Sequence, residues 1–244
     1  MLHPVADLFG VALQEYFAGA RVPVHLRRYD GKLAPLDLGR YFAGFDFFAL
    51  FEQELLAAAA GRVMDLGAGA GRASIYLQEL AGGCSAGTSG VAAVVAVDAS
   101  PGACACLTQR GVINVACLSW ADLPTAGLAA GSFDTILMLG AGLGMAGTPS
   151  SLLQLLGKLS KLLRYSGKAL VTGSAPSGCL KAVRLRLECG SRIGDWFNWL
   201  EVPPAELVGA AQACGMAAVA GPLGRPDDEY AYVLTKVDPA GRRG

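Results

Sequence analysis

From residue 61 onward, short apolar runs alternate with segments whose leucines recur every three or four positions. RVMDL (62–66), VAAVVAVD (91–98), VINVAC (112–117), FDTILML (133–139) and KALVTG (168–173) are apolar along nearly their whole length. That is the pattern of parallel strands covered by helices on both faces. TPSSLLQLLGKLSKLLR (148–164) offers Thr148 as N-cap and Pro149 at the first helical position. Its Leu152, Leu155, Leu156, Leu159 and Leu163 then form one stripe, with Lys158 and Lys161 off it. PPAELVGAAQACG (203–215) starts on proline and ends on a glycine suited to a left-handed cap. AVRLRLE (182–188) and YAYVLTK (230–236) alternate as antiparallel or edge strands do. The whole predicts an α/β fold, a doubly wound, mostly parallel seven-stranded sheet with helices on both faces.

Residues 1–60 read differently: helical patterns at about 4–18 and 44–60 flank the irregular, aromatic-ended stretch 20–42. They predict an N-terminal helical cap over the sheet's C-terminal edge, or alternatively a dimerisation arm. The core then spans 61–244, with a substrate-side insertion around 176–204 and a Gly/Ser-rich loop at 80–90.

The stretch MDLGAGAGR (64–72) places glycines at alternate positions where the first strand becomes a helix. Each glycine gives up backbone freedom on folding, and what it gains is close approach of the main chain to a ligand. The dinucleotide fingerprint G-x-G-x-x-G/A fails in both frames, since its third position falls on Arg72 or Ser74. No lysine follows as in a phosphate loop. An acid, Asp65, precedes the glycines; it suits an ammonium group and would repel a pyrophosphate. A second acid, Asp98, ends the next strand, where a carboxylate can accept both hydroxyls of a ribose, while Ser100 before Pro101 can cap the following helix.

Composition narrows the class. Hydrophobic residues make up 53% of the 244, yet no run reaches the roughly 20 apolar residues of a membrane span. Twenty acidic residues balance twenty basic ones, which disfavours a nucleic-acid partner. The N-terminus lacks the basic start and apolar block of a signal peptide, and seven cysteines make no paired framework. A cytoplasmic setting with free thiols is expected. A monomer or a homodimer is compatible with all of this.

VMDLGAGAGR, VVAVDASP, LSWADLP, FDTILMLGAGLG and LLRYSGKALV, in order from about 61 to 175, resemble successive motifs of the class I S-adenosylmethionine-dependent methyltransferases. The nearest similarity is to small-molecule enzymes of the bacterial secondary-metabolism type, antibiotic biosynthesis included. The resemblance implies S-adenosylmethionine as cofactor and S-adenosylhomocysteine as product. It implies that Asp65 with Gly67, Ala68, Gly69 and Gly71 hold the methionine end, and that Asp98 and Ala99 take the ribose. Ser119 and Trp120 would flank the adenine, and Leu139 and Gly140 would lie beneath the sulfonium. Two departures stand out. Ser119 occupies a position where many relatives carry aspartate, and Tyr165-Ser166-Gly167 replaces a Pro-Gly-Gly turn.

Neither a Ser-His-Asp order nor metal-ligand spacing is present, so no metal is expected. His25 and Tyr29, in VHLRRYDG, are the candidates for a base in the cap, against an ordinary solvated loop. Tyr41 closes over the methionine end or simply packs with Phe42, Phe45 and Phe48. Trp196, Phe197 and Trp199 suit an aromatic small-molecule acceptor or serve as core filler. The expected activity is methylation of oxygen, nitrogen or carbon on a small, largely apolar acceptor. A methyltransferase-like cyclase that closes a cyclopropane-type ring and a non-catalytic cofactor-binding protein are the alternatives.

Overall fold

The structure is a computed structural model and describes residues 3–82, 90–125, 127–175, 177–221 and 229–238. Most of the predicted loop 80–90 thus lies outside the described residues. The chain opens with β1 (His3–Pro4), α1 (Leu8–Phe17), β2 (Val24–Arg28), β3 (Leu33–Pro35) and α2 (Leu50–Ala57). β4 (Gly61–Leu66), α3 (Arg72–Gly82), β5 (Val91–Asp98), α4 (Pro101–Gln109) and β6 (Val115–Cys117) follow. Then come β7 (Phe133–Met138), α5 (Pro149–Leu162), β8 (Leu163–Ser174), β9 (Lys181–Cys189), β10 (Arg192–Ile193) and β11 (Phe197–Glu201). α6 (Pro204–Ala213), β12 (Met216–Ala220) and β13 (Glu229–Lys236) complete it.

The main sheet has seven strands in the order β12-β13-β8-β7-β4-β5-β6, with only β13 running against its neighbours. The chain leaves β4 to one side through β5 and β6, then crosses to β7 and β8 on the other. The carboxyl ends of β4 and β7 therefore flank the switch point, where open α/β sheets bind ligands.

Strand alternation divides the core into two faces. Met64, Leu66, Ile136, Met138 and Val171 bury against the leucine stripe of α5 and against Leu207 and Ala211 of α6. Val63, Val94, Leu137 and Leu170 bury against Leu55 and Leu56 of α2 and Leu77 of α3. The predicted caps hold α5 and α4 at their starts: the Thr148 hydroxyl accepts from Ser151 N and the Ser100 hydroxyl from Ala103 N. The stripe is one residue shorter than expected, because Leu163 already opens β8.

Two expectations need correction. The run 182–188 does not join the main sheet; it forms β9 at the centre of a second sheet. Its Arg184 is exposed and its Arg186 half-buried, which suits a sheet with one wet face and not the dry seven-stranded core. The vacated place is taken by β12, a run of small residues with no sequence pattern of its own. The cap is also not helical throughout. Residues 20–42 contain the hairpin β2–β3, closed by Tyr29-Asp30-Gly31-Lys32, with Arg28 N donating to Lys32 O at 2.8 Å and Gly31 at φ +92°. β2 pairs with β9, which also pairs with β10 and β11, so N-terminal segment and insertion build one sheet together. Among the described residues no helix is long and apolar enough to cross a membrane.

Candidate active site

Parallel register lines up the strand ends. Leu66 lies opposite Val97, Asp98 opposite Cys117, and Asp65 opposite Leu137. The glycine turn leaves β4 here with Gly67, Gly69 and Gly71 at φ +78°, +58° and +84°, a region side chains other than glycine rarely occupy. The turn is tied to β5 by Gly67 N and Ala68 N, which donate to Val97 O at 2.8 and 3.1 Å. Its three glycines do different work. A Cβ on Gly71 would strike Leu107 at 2.6 Å, so this glycine seats α3 against the core. A Cβ on Gly67 would meet the Met145 thioether at 2.8–2.9 Å, and one on Gly69 the Tyr41 ring at 3.0 Å.

Both predicted acids are built into this turn. Asp98 accepts from Gly69 N at 2.8 Å through one oxygen and from Ser100 N at 2.9 Å through the other. Burial pushes its carboxyl above the usual range, and those backbone donors work against the rise. The oxygens keep lone pairs for two hydroxyls. Asp65 is buried and accepts from the Ser74 hydroxyl at 2.6 Å. Burial pushes it up to about 6, opposed by the Ser74 hydrogen bond and the Arg72 charge and reinforced by Asp98. Such a carboxylate gains most from a cation placed beside it.

Beyond β7, Gly140 stands exposed at φ +64°, and nothing lies within 4 Å of where its Cβ would be. Ala141 follows at φ +57°, its N–H held by the Thr172 hydroxyl at 2.8 Å. Leu139 is half-buried beside this opening, and Ala99 is exposed past Asp98. Ser119 accepts from Ala121 N at 3.2 Å, and the Trp120 indole donates to Met145 O at 3.0 Å. The structure thus brings Asp65, the glycine turn, Asp98, Ala99, Ser119, Trp120, Leu139 and Gly140 to one edge. Tyr41 joins them from the N-terminal segment. Bare main chain, a ribose-type acid, a buried carboxylate and an open glycine fit a nucleoside carrying an amino-acid tail.

The aromatic group divides. Trp199 lies so close to Gly144 that a Cβ there would sit 2.0–2.6 Å from the indole, which sets β11 directly on the segment that follows β7. Phe197, two residues away, shares that inner face and meets Trp199 edge-on at 6.5 Å. Trp196 turns the other way, as strand alternation requires. It stacks under the Arg186 guanidinium at 4.8 Å and meets Tyr29 edge-on at 5.4 Å. His25, opposite Glu188 in register, lies on this outer face, and Tyr29 is 69% exposed there. The inner face carries Leu26 and Leu187, packed with Leu8 and Ala70. His25, Tyr29 and Trp196 are therefore not brought to the strand ends.

Several residues at the edge went unread in the sequence. Arg110 donates to Tyr41 O at 3.4 Å and to Ala70 O, clamping the tyrosine segment to the glycine turn. Arg28 donates to the buried Glu201 at 3.0 Å, and Ser177 holds the other carboxylate oxygen. Arg72 makes a bidentate pair with the buried Glu52. Of the two acids in LFEQELLA, Glu52 stands three and four residues ahead of Leu55 and Leu56 on the apolar side of the helix, and this spacing was the one signal available for that pair.

No protein-family model and no curated protein matches the chain. Solved structures do. A SAM-dependent methyltransferase from Bacteroides fragilis in complex with S-adenosyl-L-homocysteine is 25% identical, covers 95% of each chain and superposes with a TM-score of 0.80. The sugar N-methyltransferase KedS8 from Streptoalloteichus is 17% identical over 83% of this chain and 92% of its own, with a TM-score of 0.59. The 1,6-didemethyltoxoflavin-N1-methyltransferase of Burkholderia thailandensis, with S-adenosylhomocysteine bound, is 19% identical over 95% and 88%, with a TM-score of 0.58. The latter two share the fold. The resemblance seen in the motifs holds: the chain has the fold of the SAM-dependent methyltransferases, and its similarity to one of them over 95% of both chains supports an enzyme of that class.

Proposed function

We propose that the protein transfers the methyl group of S-adenosylmethionine to a small, largely apolar or aromatic acceptor of the secondary-metabolism type. The observation that carries this reading is Asp98, whose carboxylate ends β5 and holds the Gly69 N–H of the glycine turn. Asp98 and Ala99 take the ribose, Asp65 and residues 67–71 the amino-acid tail. Ser119 and Trp120 flank the adenine, and Leu139 and Gly140 underlie the sulfonium. When bound, S-adenosylmethionine supplies a methyl already activated by positive sulfur. The chain's contribution is alignment and exclusion of water, and orientation alone can supply roughly 7–11 kcal/mol of such a barrier.

Phe197 and Trp199, set against Gly144 in the segment that follows β7, offer the acceptor a flat, rigid wall. Nitrogen is favoured among the three acceptor atoms by the names of two neighbours, a sugar N-methyltransferase and an N1-methyltransferase. The outward-facing His25 and Tyr29 are given no part as base. Calorimetry with S-adenosylmethionine and with NAD tests the cofactor: micromolar binding of the first alone supports the reading, and preference for NAD contradicts it. Mass spectrometry of candidate acceptors then separates gain of one methyl from ring closure or no turnover.

A further inference from the structure

The N-terminal segment is keyed onto the glycine turn and the helix α3 that follows it at three successive points. The Tyr41 ring lies against Gly69. Four residues on, the Phe45 ring stacks on Tyr76 of α3 with centroids 4.0 Å apart and planes 7° from parallel. At the third point Arg72, the first residue of α3, lies over the Phe48 ring at 4.3 Å. Its two terminal nitrogens meet both oxygens of Glu52 in α2, one at 2.8 Å. The Glu52 side chain is 1% exposed and that of Arg72 14%. A pair so buried is poor economy as plain stabilisation, because desolvating two charges consumes most of their attraction. Its bidentate geometry instead fixes one relative placement of two elements.

We infer that Glu52 and Arg72 are positioning residues for the cofactor: their pair locks α2 and the segment before it to the start of α3, and so holds Tyr41 against the glycine turn. The inference rests on the proposed cofactor site and goes beyond it, since neither residue is among those assigned to the ligand. Arg72 also supplies a positive charge that favours ionised Asp65, on which Asp98 and the Ser74 hydroxyl act as well. The pair therefore acts on the turn in two ways, by anchoring the strap and by favouring ionised Asp65.

The test is calorimetric titration of the full chain with S-adenosylhomocysteine, at a temperature well below each variant's melting point. Glu52→Gln keeps the shape and removes the charge. Its Kd is expected to rise at least tenfold, with faster amide exchange across 38–57. Arg72→Lys keeps the charge but loses the fork, and a three- to tenfold rise with native exchange elsewhere is expected. Arg72→Gln is expected to move the pH midpoint of binding upward, a change that loss of packing alone does not produce. Folded Glu52→Gln or Arg72→Lys protein binding within twofold of wild type overturns the inference while leaving the cofactor site standing. Wild-type protein that does not bind S-adenosylhomocysteine overturns both.

Discussion

The two sheets meet at the strand ends but are built on opposite terms. The main sheet is covered on both faces at its central strands β4 and β7, and its polar groups of consequence sit where strands stop: Asp65, Asp98 and the turn after β4. The second sheet is antiparallel except where β1 runs parallel to β10, and it is dry on one face. Its outer face is a ladder of Arg27, Arg186 and Glu188, with Glu188 accepting from Arg27 at 2.6 Å and from Arg186 at 2.7 Å, beside Trp196 and Tyr29. Both regions carry charged and aromatic side chains. What distinguishes the edge is convergence. There, two acids and bare glycines from the ends of β4, β5 and β7 lie along one edge, whereas the ladder's charges pair with each other.

The contrast can be broken by substitutions. Leu156→Ala, under the main sheet, is expected to cost about 2–5 kcal/mol of stability in urea unfolding, because it leaves a cavity where the chain is fully packed. Asp98→Ala is expected to weaken S-adenosylhomocysteine binding by about 1.5–3 kcal/mol, roughly 10- to 150-fold, in calorimetry. The pH dependence has a definite sign. Asp65 has its folded pKa raised from 3.8 to about 6, so the cost of holding it ionised is absent below pH 3.8 and complete above about pH 6. That cost is about 3 kcal/mol. Asp65→Asn is therefore expected to stabilise the free protein at pH 8, by an amount that vanishes in unfolding curves below pH 4. Cofactor affinity of the wild type is expected to decline below pH 6 as Asp65 takes up its proton, and Asp65→Asn is expected to remove that decline. The smallest effects belong to the ladder: His25→Ala and Trp196→Ala are expected to leave Kd for S-adenosylhomocysteine within twofold of wild type.

The same contrast explains what the sequence made legible. The main sheet's first five strands and its glycine turn are local βα units, each with its own punctuation, so Asp65, Asp98, Thr148 and Ser100 were readable where they stand. The second sheet joins residues 24–35 to 181–201, and no local pattern announces a pairing over that distance. Asp30-Gly31 between VHLRR and KLAP was a hairpin signal that the aromatic-ended stretch obscured. Once β9 belongs to that sheet, alternation alone decides that Trp199 faces the strand ends while Trp196 and His25 do not. The Glu52–Arg72 pair was illegible as a pair for the same reason: the place of Glu52 on the apolar side of its helix names no partner, and only packing supplies one.

The central claim, that the turn after β4 embraces an amino-acid-tailed nucleoside, is tested most directly by diffraction from crystals grown with S-adenosylhomocysteine. The account predicts ribose hydroxyls on the Asp98 carboxylate, the tail amine beside Asp65 and the sulfur above Gly140. Density for the ligand elsewhere, or strand ends left empty at saturating concentration, contradicts it.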